Sequence, residues 1–185
     1  MDVIVSARLE TPVPVVGVVG WKNSGKTTLA VALIAEFTRR GLKVASVKHA
    51  HHGFQIDEGE TDSARHRRAG AAEVAIVSNR RWAIVHELAD DEDEPDFPDV
   101  LAWLAPCDLV VVEGYKSAAI PKIEARRLQS SEKTALSDRD PNIIAIAADH
   151  GVDAGALPVF DLDDVAGIVD FLADRLGLSP RRAEA

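Results

Sequence analysis

Val13–Val19 is apolar and rich in valine, and it runs straight into Gly20-Trp21-Lys22-Asn23-Ser24-Gly25-Lys26-Thr27. The eight residues fit the spacing G-x-x-x-x-G-K-[ST] without a gap. The glycines let the backbone curl so that several N–H groups converge on one anion, and a helix that follows adds its positive end. Lys26 is then placed to reach the β- and γ-phosphates, and the Thr27 hydroxyl to ligate Mg²⁺. The flanks agree. The valine run reads as a strand covered on both faces, and Leu29, Leu33, Ile34 and Phe37 recur at helical spacing until Gly41. Strand, loop and helix in this order confine the chain to an α/β domain that binds a phosphate.

The remaining pattern extends that frame. Leu42–Val47 reads as a second strand, so the connection is long enough for a parallel crossover. Thr61–Gly70 reads as a helix, and Glu73–Val77 with Arg81–Val85 as a hairpin turning at Ser78-Asn79-Arg80. The acidic run Asp90–Glu94, with Pro95 and Pro98, reads as a solvated loop before a helix at Val100–Leu104. Asp108–Val112, Ile120–Glu124, Ile143–Ala147 and Leu157–Phe160 read as further strands, with Val165–Leu176 as the closing helix. Ser130–Asp140 is polar and reads as a mobile loop. The expected fold is a three-layer P-loop NTPase α/β domain, with a mostly parallel sheet and one antiparallel hairpin. It is expected to occupy residues 13–178, between a flexible N-terminus (1–12) and a flexible tail (179–185).

Composition narrows the partners. The 185 residues carry a formal net charge of −9, which disfavours a general nucleic-acid or membrane-surface binder. No apolar run reaches the roughly 18 residues of a membrane span, and the N-terminus lacks a signal peptide's features, so a cytoplasmic location is expected. The single cysteine, Cys107, cannot form an internal disulfide and reads as a small buried thiol.

Ligands of parallel sheets gather at the carboxyl ends of the strands. Of the two acids flanking Leu109–Val112, Glu113 is therefore the candidate metal-end carboxylate, and Asp108 starts the strand on the far side. Lys48-His49-Ala50-His51-His52 follows the second strand at the same edge. Lys48 and His49 are candidates for phosphate or substrate contact, while the three histidines leave a transition-metal site open. Lys22 either touches phosphate across a subunit interface or faces solvent. Asp57, Asp62 and Arg65 follow in a polar segment, where Asp62 either serves Mg²⁺ and the attacking water or caps the helix. Asp149, ending the strand Ile143–Ala147, is the candidate for guanine N1 and N2, although the Asn-Lys-x-Asp pattern of many GTPases is absent.

Taken together, Gly20–Thr28, Lys48-His49-Ala50-His51-His52, Asp62–Ala71 and Val112-Glu113-Gly114-Tyr115-Lys116 resemble the MobB family of molybdopterin-guanine dinucleotide biosynthesis proteins. The resemblance continues through Ser78–Trp82 and Asp161–Leu172. It implies GTP and Mg²⁺ binding, weak GTP hydrolysis and a homodimer; Lys26, Glu113 and Asp62 are the candidate working residues. It further implies an adaptor's role beside a separate MobA-type guanylyltransferase. Trp21, Asn23, Ser24, Gly25 and Thr28 complete the candidate nucleotide contacts, and Thr27, Glu113 and Asp62 are the candidate metal contacts. Two other readings stay open. One is a small-molecule kinase with a lid built on Arg126-Arg127 or Arg65–Arg68; the other is a metallochaperone-like GTPase using His49, His51 and His52.

Overall fold

An unbroken apolar run must be covered on both faces, and β1 (Val15–Val19) is buried at every residue. The chain continues as α1 (Lys26–Arg39), β2 (Val44–Lys48), α2 (Asp62–Arg68), β3 (Glu73–Val77), β4 (Trp82–His86) and α3 (Phe97–Ala102). It closes with β5 (Leu109–Glu113), β6 (Lys122–Arg126), β7 (Ile143–Ala148), β8 (Val159–Asp161) and α4 (Val165–Leu176). The computed structural model describes residues 11–50, 54, 56, 59–89 and 92–179. Most of the two expected flexible ends, together with His51, His52, Asp57, Asp90 and Asp91, lies outside the described residues.

Six strands form one sheet in the order β2-β5-β1-β6-β7-β8, and every pairing within it is parallel. The expected P-loop NTPase-like α/β fold is therefore present, with β1 near the middle of the sheet. β1 pairs with β5 on one side and β6 on the other, so the loop after β1 sits where the strand order reverses direction. That is the position at which open parallel sheets take ligands.

Val16, Val18, Val111, Ile123, Ala145 and Ala147 share one core with Leu29, Leu33 and Phe37 of α1 and with Ile168, Val169 and Leu172 of α4. The apolar spacing of α1 thus holds the helix against the sheet, with its first turn at the carboxyl edge. At its far end, Arg40 Nε and Arg39 Nε both donate to Glu36, at 2.8 and 2.7 Å. Arg40 also reaches Asp170 of α4. These arginines hold the Glu36 carboxyl down at about 2, against an ordinary 4.5. A depressed carboxyl pKa contributes stability above about 4.5 that is lost as pH falls toward 2. Glu36→Gln is accordingly expected to flatten the fall of Tm with pH between 5 and 3, read by circular dichroism melts.

The chain divides into two compact units, one of residues 1–49 and 101–185 and one of residues 50–100. In the second unit, the Thr61 side chain accepts from Ala64 N–H and caps α2, and β3 pairs antiparallel with β4 as the hairpin pattern requires. Arg67 of α2 meets Glu87 just after β4. Val77, Trp82 and Ile84 of the hairpin are exposed.

Four sequence expectations shift. The helix expected at Val100–Leu104 spans Phe97–Ala102, because Pro98 stands in its first turn, where the missing N–H is not needed. The strand expected at Ile120–Glu124 runs from Lys122 to Arg126, and it is an interior strand between β1 and β7. Cys107 is only partly buried. Residues 130–140, expected as a mobile loop, are tied down by side chains of β6.

Those ties use two charged residues, Lys122 and Glu124, each only 1% exposed. Glu124 Oε1 accepts from Leu136 N–H at 2.9 Å, and Oε2 from Ser137 N–H at 3.0 Å and Arg126 Nη2 at 2.8 Å. Lys122 Nζ donates to Asp140 Oδ2 at 2.6 Å and to the Lys116 carbonyl at 2.8 Å. A buried charge survives only with such partners, so these bonds hold the connection from β6 to β7 in place.

Candidate functional site

The phosphate loop leaves β1 at Gly20, a position closed to any side chain. A Cβ there would lie 2.3 Å from Ser24 Oγ and 2.5 Å from the Ala125 carbonyl. The loop therefore folds tightly on itself and on β6. Ser24 is 1% exposed, and its hydroxyl has no hydrogen-bond partner among the described residues. Asn23 takes a positive φ of 64°, which asparagine tolerates better than most residues.

Around the loop stand three lysines and one glutamate of the same unit. β2 and β5 pair so that Lys48 lies beside Glu113, and Lys48 Nζ is 3.5 Å from Glu113 Oε1. The Thr27 hydroxyl donates to the same Glu113 oxygen at 2.7 Å. A hydroxyl and a carboxylate at this spacing form a hard oxygen pair, the donor type that Mg²⁺ takes. Lys26 Nζ donates to the Trp21 carbonyl at 2.6 Å. Burial pushes the Lys26 ammonium below its ordinary pKa, and the nearby Lys116 and Lys48 charges push the same way, with Glu113 opposing them. An acidic protein thus concentrates positive charge at this edge, a field that attracts anions.

The connection after β6 clasps the loop from its other side. The Lys22 carbonyl accepts from Ser131 N–H at 3.1 Å, Ser131 Oγ at 3.2 Å and Ser130 Oγ at 3.3 Å. Trp21 Nε1 donates to the Thr134 carbonyl at 2.6 Å. A recess of about 250 Å³ opens beside Trp21, lined by Arg126, Arg127, Ser130, Lys133, His150 and Asp153. It falls below the roughly 300–1,000 Å³ of enclosing ligand pockets, so this edge can cradle a ligand without enclosing it.

The sequence-derived candidates are distributed as follows. Gly20, Trp21, Lys22, Asn23, Ser24, Gly25, Lys26, Thr27 and Thr28 form the loop and the first turn of α1. The Lys22 side chain is exposed. Lys48 and Glu113 end their strands beside the loop, while Asp108 stands at the opposite edge and accepts from Lys43 N–H at 2.7 Å. His49 stacks on Tyr115, with ring centroids 4.5 Å apart.

Asp149 directly follows β7, two strands away from β1. His150 Nδ1 lies 2.7 Å from its Oδ1, which also accepts from Leu128 N–H at 3.0 Å. The His150 bond, the Leu128 amide and the Arg127 charge hold the Asp149 carboxyl below its ordinary pKa. Asp62 belongs to the second unit and does not cap α2, a role that Thr61 fills; it stands 3.5 Å from Arg65 instead.

Arg126, considered for a lid, is engaged within the fold here. Its guanidinium is committed to Glu124 and Ser137, both at 2.8 Å. Among the described residues, no group of three or more His, Cys, Asp or Glu side chains is arranged to hold a metal ion, and His51 and His52 lie outside them. Sequence reasoning quoted Lys116 in the family motif but gave it no role; its Nζ lies 4.0 Å from the centroid of the Trp21 ring. The same reasoning passed over Lys122, Glu124, Ser130 and Ser131. The alternation of charge in Lys122-Ile123-Glu124-Ala125-Arg126 was the available signal, but an exposed strand shows the same alternation.

The family model for molybdopterin guanine dinucleotide synthesis protein B matches residues 15–149. The molybdopterin-guanine dinucleotide biosynthesis adapter protein of Escherichia coli K12 is 32% identical over 166 residues, covering 89% of this chain and 94% of that protein. Its namesake in Haemophilus influenzae is 33% identical over 171 residues, covering 91% and 92%. Among solved structures, a MobB homolog from Bacillus stearothermophilus aligns with TM-score 0.67 at 31% identity, covering 89% of this chain and 99% of that one. Bacillus subtilis MobB aligns with TM-score 0.70 at 28% identity, covering 88% and 98%.

Proposed function

The chain belongs to the MobB family, and from that premise we propose that it is a GTP-binding adaptor for the step that adds the guanine nucleotide to the molybdenum cofactor. The observation that carries the reading is the 2.7 Å bond from Thr27 to Glu113. It joins the two residues that a P-loop protein uses for its metal, at the mouth of a loop whose lysine already lies among positive charge. The tight glycine cradle and the buried, unpartnered Ser24 hydroxyl fit a phosphate-bearing ligand.

In this reading the amides of Gly20–Thr27 and the Lys26 ammonium hold the β- and γ-phosphates, with Lys48 adding charge from the neighbouring strand. Thr27 and Glu113 would hold Mg²⁺, which supplies charge neutralisation at the phosphates. His49 borders the site through Tyr115. Asp149 reads guanine, as a carboxylate kept ionised by its neighbours and able to accept from N1 and N2. Hydrolysis is slow, because neither a water-orienting glutamine nor an arginine finger is assigned.

The partners proposed are a MobA-type guanylyltransferase and a second copy of this chain. The exposed Val77, Trp82 and Ile84 of the hairpin support a protein contact. No helix among the described residues is long and apolar enough to cross a membrane, in keeping with the proposed cytoplasmic location.

Calorimetric titration of GTP and ATP, each with Mg²⁺, tests the reading. GTP is expected to bind more tightly, and Asp149→Asn to erase the preference. An unchanged preference in that variant would remove Asp149, and tighter ATP binding would remove guanine recognition altogether.

A further inference from the structure

We propose that Lys116 is a further phosphate-binding cation of this site, one that selects a nucleoside triphosphate over a diphosphate. The proposal rests on the nucleotide reading above and deepens it.

Lys116 reaches the loop because the backbone turns back sharply after Glu113. Gly114 and Tyr115 have φ of +94° and +48°. The first conformation suits glycine, whereas the second is costly for a tyrosine. A Cβ on Gly114 would also lie 3.1 Å from His49 Cβ. Such strain persists only where the surroundings over-determine it, and it collects at ligand sites. The surroundings here do so. Gly114 N–H donates to the Val18 carbonyl and Ala118 N–H to the Tyr115 carbonyl, both at 3.1 Å. His49 stacks on the Tyr115 ring, and the buried Lys122 ammonium holds the Lys116 carbonyl at 2.8 Å.

The backbone of Lys116 is therefore anchored while its ammonium rests on an aromatic face. Trp21 meets two lysines, one from the loop and one from beyond β5: its carbonyl accepts from Lys26 and its ring carries Lys116. A cation on a partly exposed ring is weakly held compared with a charge-assisted bond to phosphate. The two ammonium groups are also close enough to repel each other, and an anion between them relieves that repulsion.

Strand order says which phosphate this is. Lys116 follows β5, on one side of β1, while Asp149 follows β7, on the other. A nucleotide lying across this edge with its base at Asp149 directs its terminal phosphate toward β5, where Glu113, Lys48 and Lys116 stand. In this arrangement a diphosphate fills the loop at Lys26 and Thr27 but lacks the terminal group that meets Lys116.

The test compares GTP and GDP affinities, each with Mg²⁺, by calorimetry for the unmodified protein, Lys116→Met and Lys116→Arg. The methionine variant is expected to lose roughly ten- to a hundredfold in GTP affinity, the size of a lost bond to a charged group. Its GDP affinity should stay within about twofold, since that ligand lacks the contacted group. Arginine should restore most of the difference, which a purely structural lysine would not require. Equal losses for both nucleotides, or an undiminished GTP affinity, overturn the role of Lys116 alone. If the unmodified protein binds neither nucleotide, the nucleotide reading falls and this inference with it.

Discussion

Lys26→Ala is expected to abolish measurable GTP binding, with a loss of at least about a hundredfold, while the protein stays folded. The two halves of this expectation have one cause. Among the described residues Lys26 donates one bond, to the Trp21 carbonyl, and its charged form is disfavoured by burial, with Glu113 opposing this and Lys116 and Lys48 adding to it. Removing it gives up that bond and the Glu113 attraction but also relieves the burial cost and the lysine repulsion, so Tm should change little. A triphosphate, in contrast, loses the ammonium that meets its β- and γ-oxygens. Calorimetry for affinity and a thermal melt for folding check both halves. Undiminished GTP affinity in a folded variant would refute the assignment of this loop as the phosphate site.

The largest stability effect is expected at Glu124. Glu124→Ala removes a carboxylate that is 1% exposed and accepts from Arg126 Nη2 and the Leu136 and Ser137 amides. Breaking a buried pair from one side costs about 3–5 kcal/mol, because the other charge is left without compensation. In a chain of this size that corresponds to a fall in Tm of the order of 10 °C. Glu132→Ala, at an exposed position of the same connection, is the control and should stay within about 0.5 kcal/mol. Urea unfolding measures both, and a loss below about 1 kcal/mol for Glu124→Ala would contradict the anchoring role. Because the same connection bonds the Lys22 carbonyl through Ser130 and Ser131, GTP affinity should fall as well.

Much of this architecture could be read along the chain. The phosphate loop was legible because its requirements are local: a buried strand, glycines where a side chain would collide, and an apolar stripe on the next helix. Val165–Leu176 was legible to the residue, since its apolar spacing and the C-terminal Gly177 are likewise local signals. Even the choice of Glu113 over Asp108 for the loop's edge followed from sequence, because parallel strands bring all their carboxyl ends to one side. The hairpin announced itself through two β-rich runs separated by a short polar turn.

β6 was not legible in the same way. Lys122-Ile123-Glu124-Ala125-Arg126 has the alternation of a half-exposed strand, yet it pairs on both sides and buries two charges. What makes that tolerable lies well along the chain, at Asp140 for Lys122 and at Leu136 and Ser137 for Glu124. The reading of residues 130–140 as mobile failed for the same reason, since the polar side chains there are only half of the story. Lys116 was visible in the family motif but had no role there, because its placement depends on a two-residue reversal after Glu113 and on a tryptophan nearly a hundred positions earlier.

The sequence by itself therefore determined that this protein has a P-loop and an α/β fold, because each rests on contacts within a few residues or on spacing that any parallel sheet respects, while its motifs, taken in order, pointed to its family. Only the tertiary structure decided which strands flank the loop, which buried charges hold the connection over it, and that Lys116 stands against Trp21. Those depend on strand order, and strand order is set by the packing of the whole sheet against α1 and α4, not by any segment read alone.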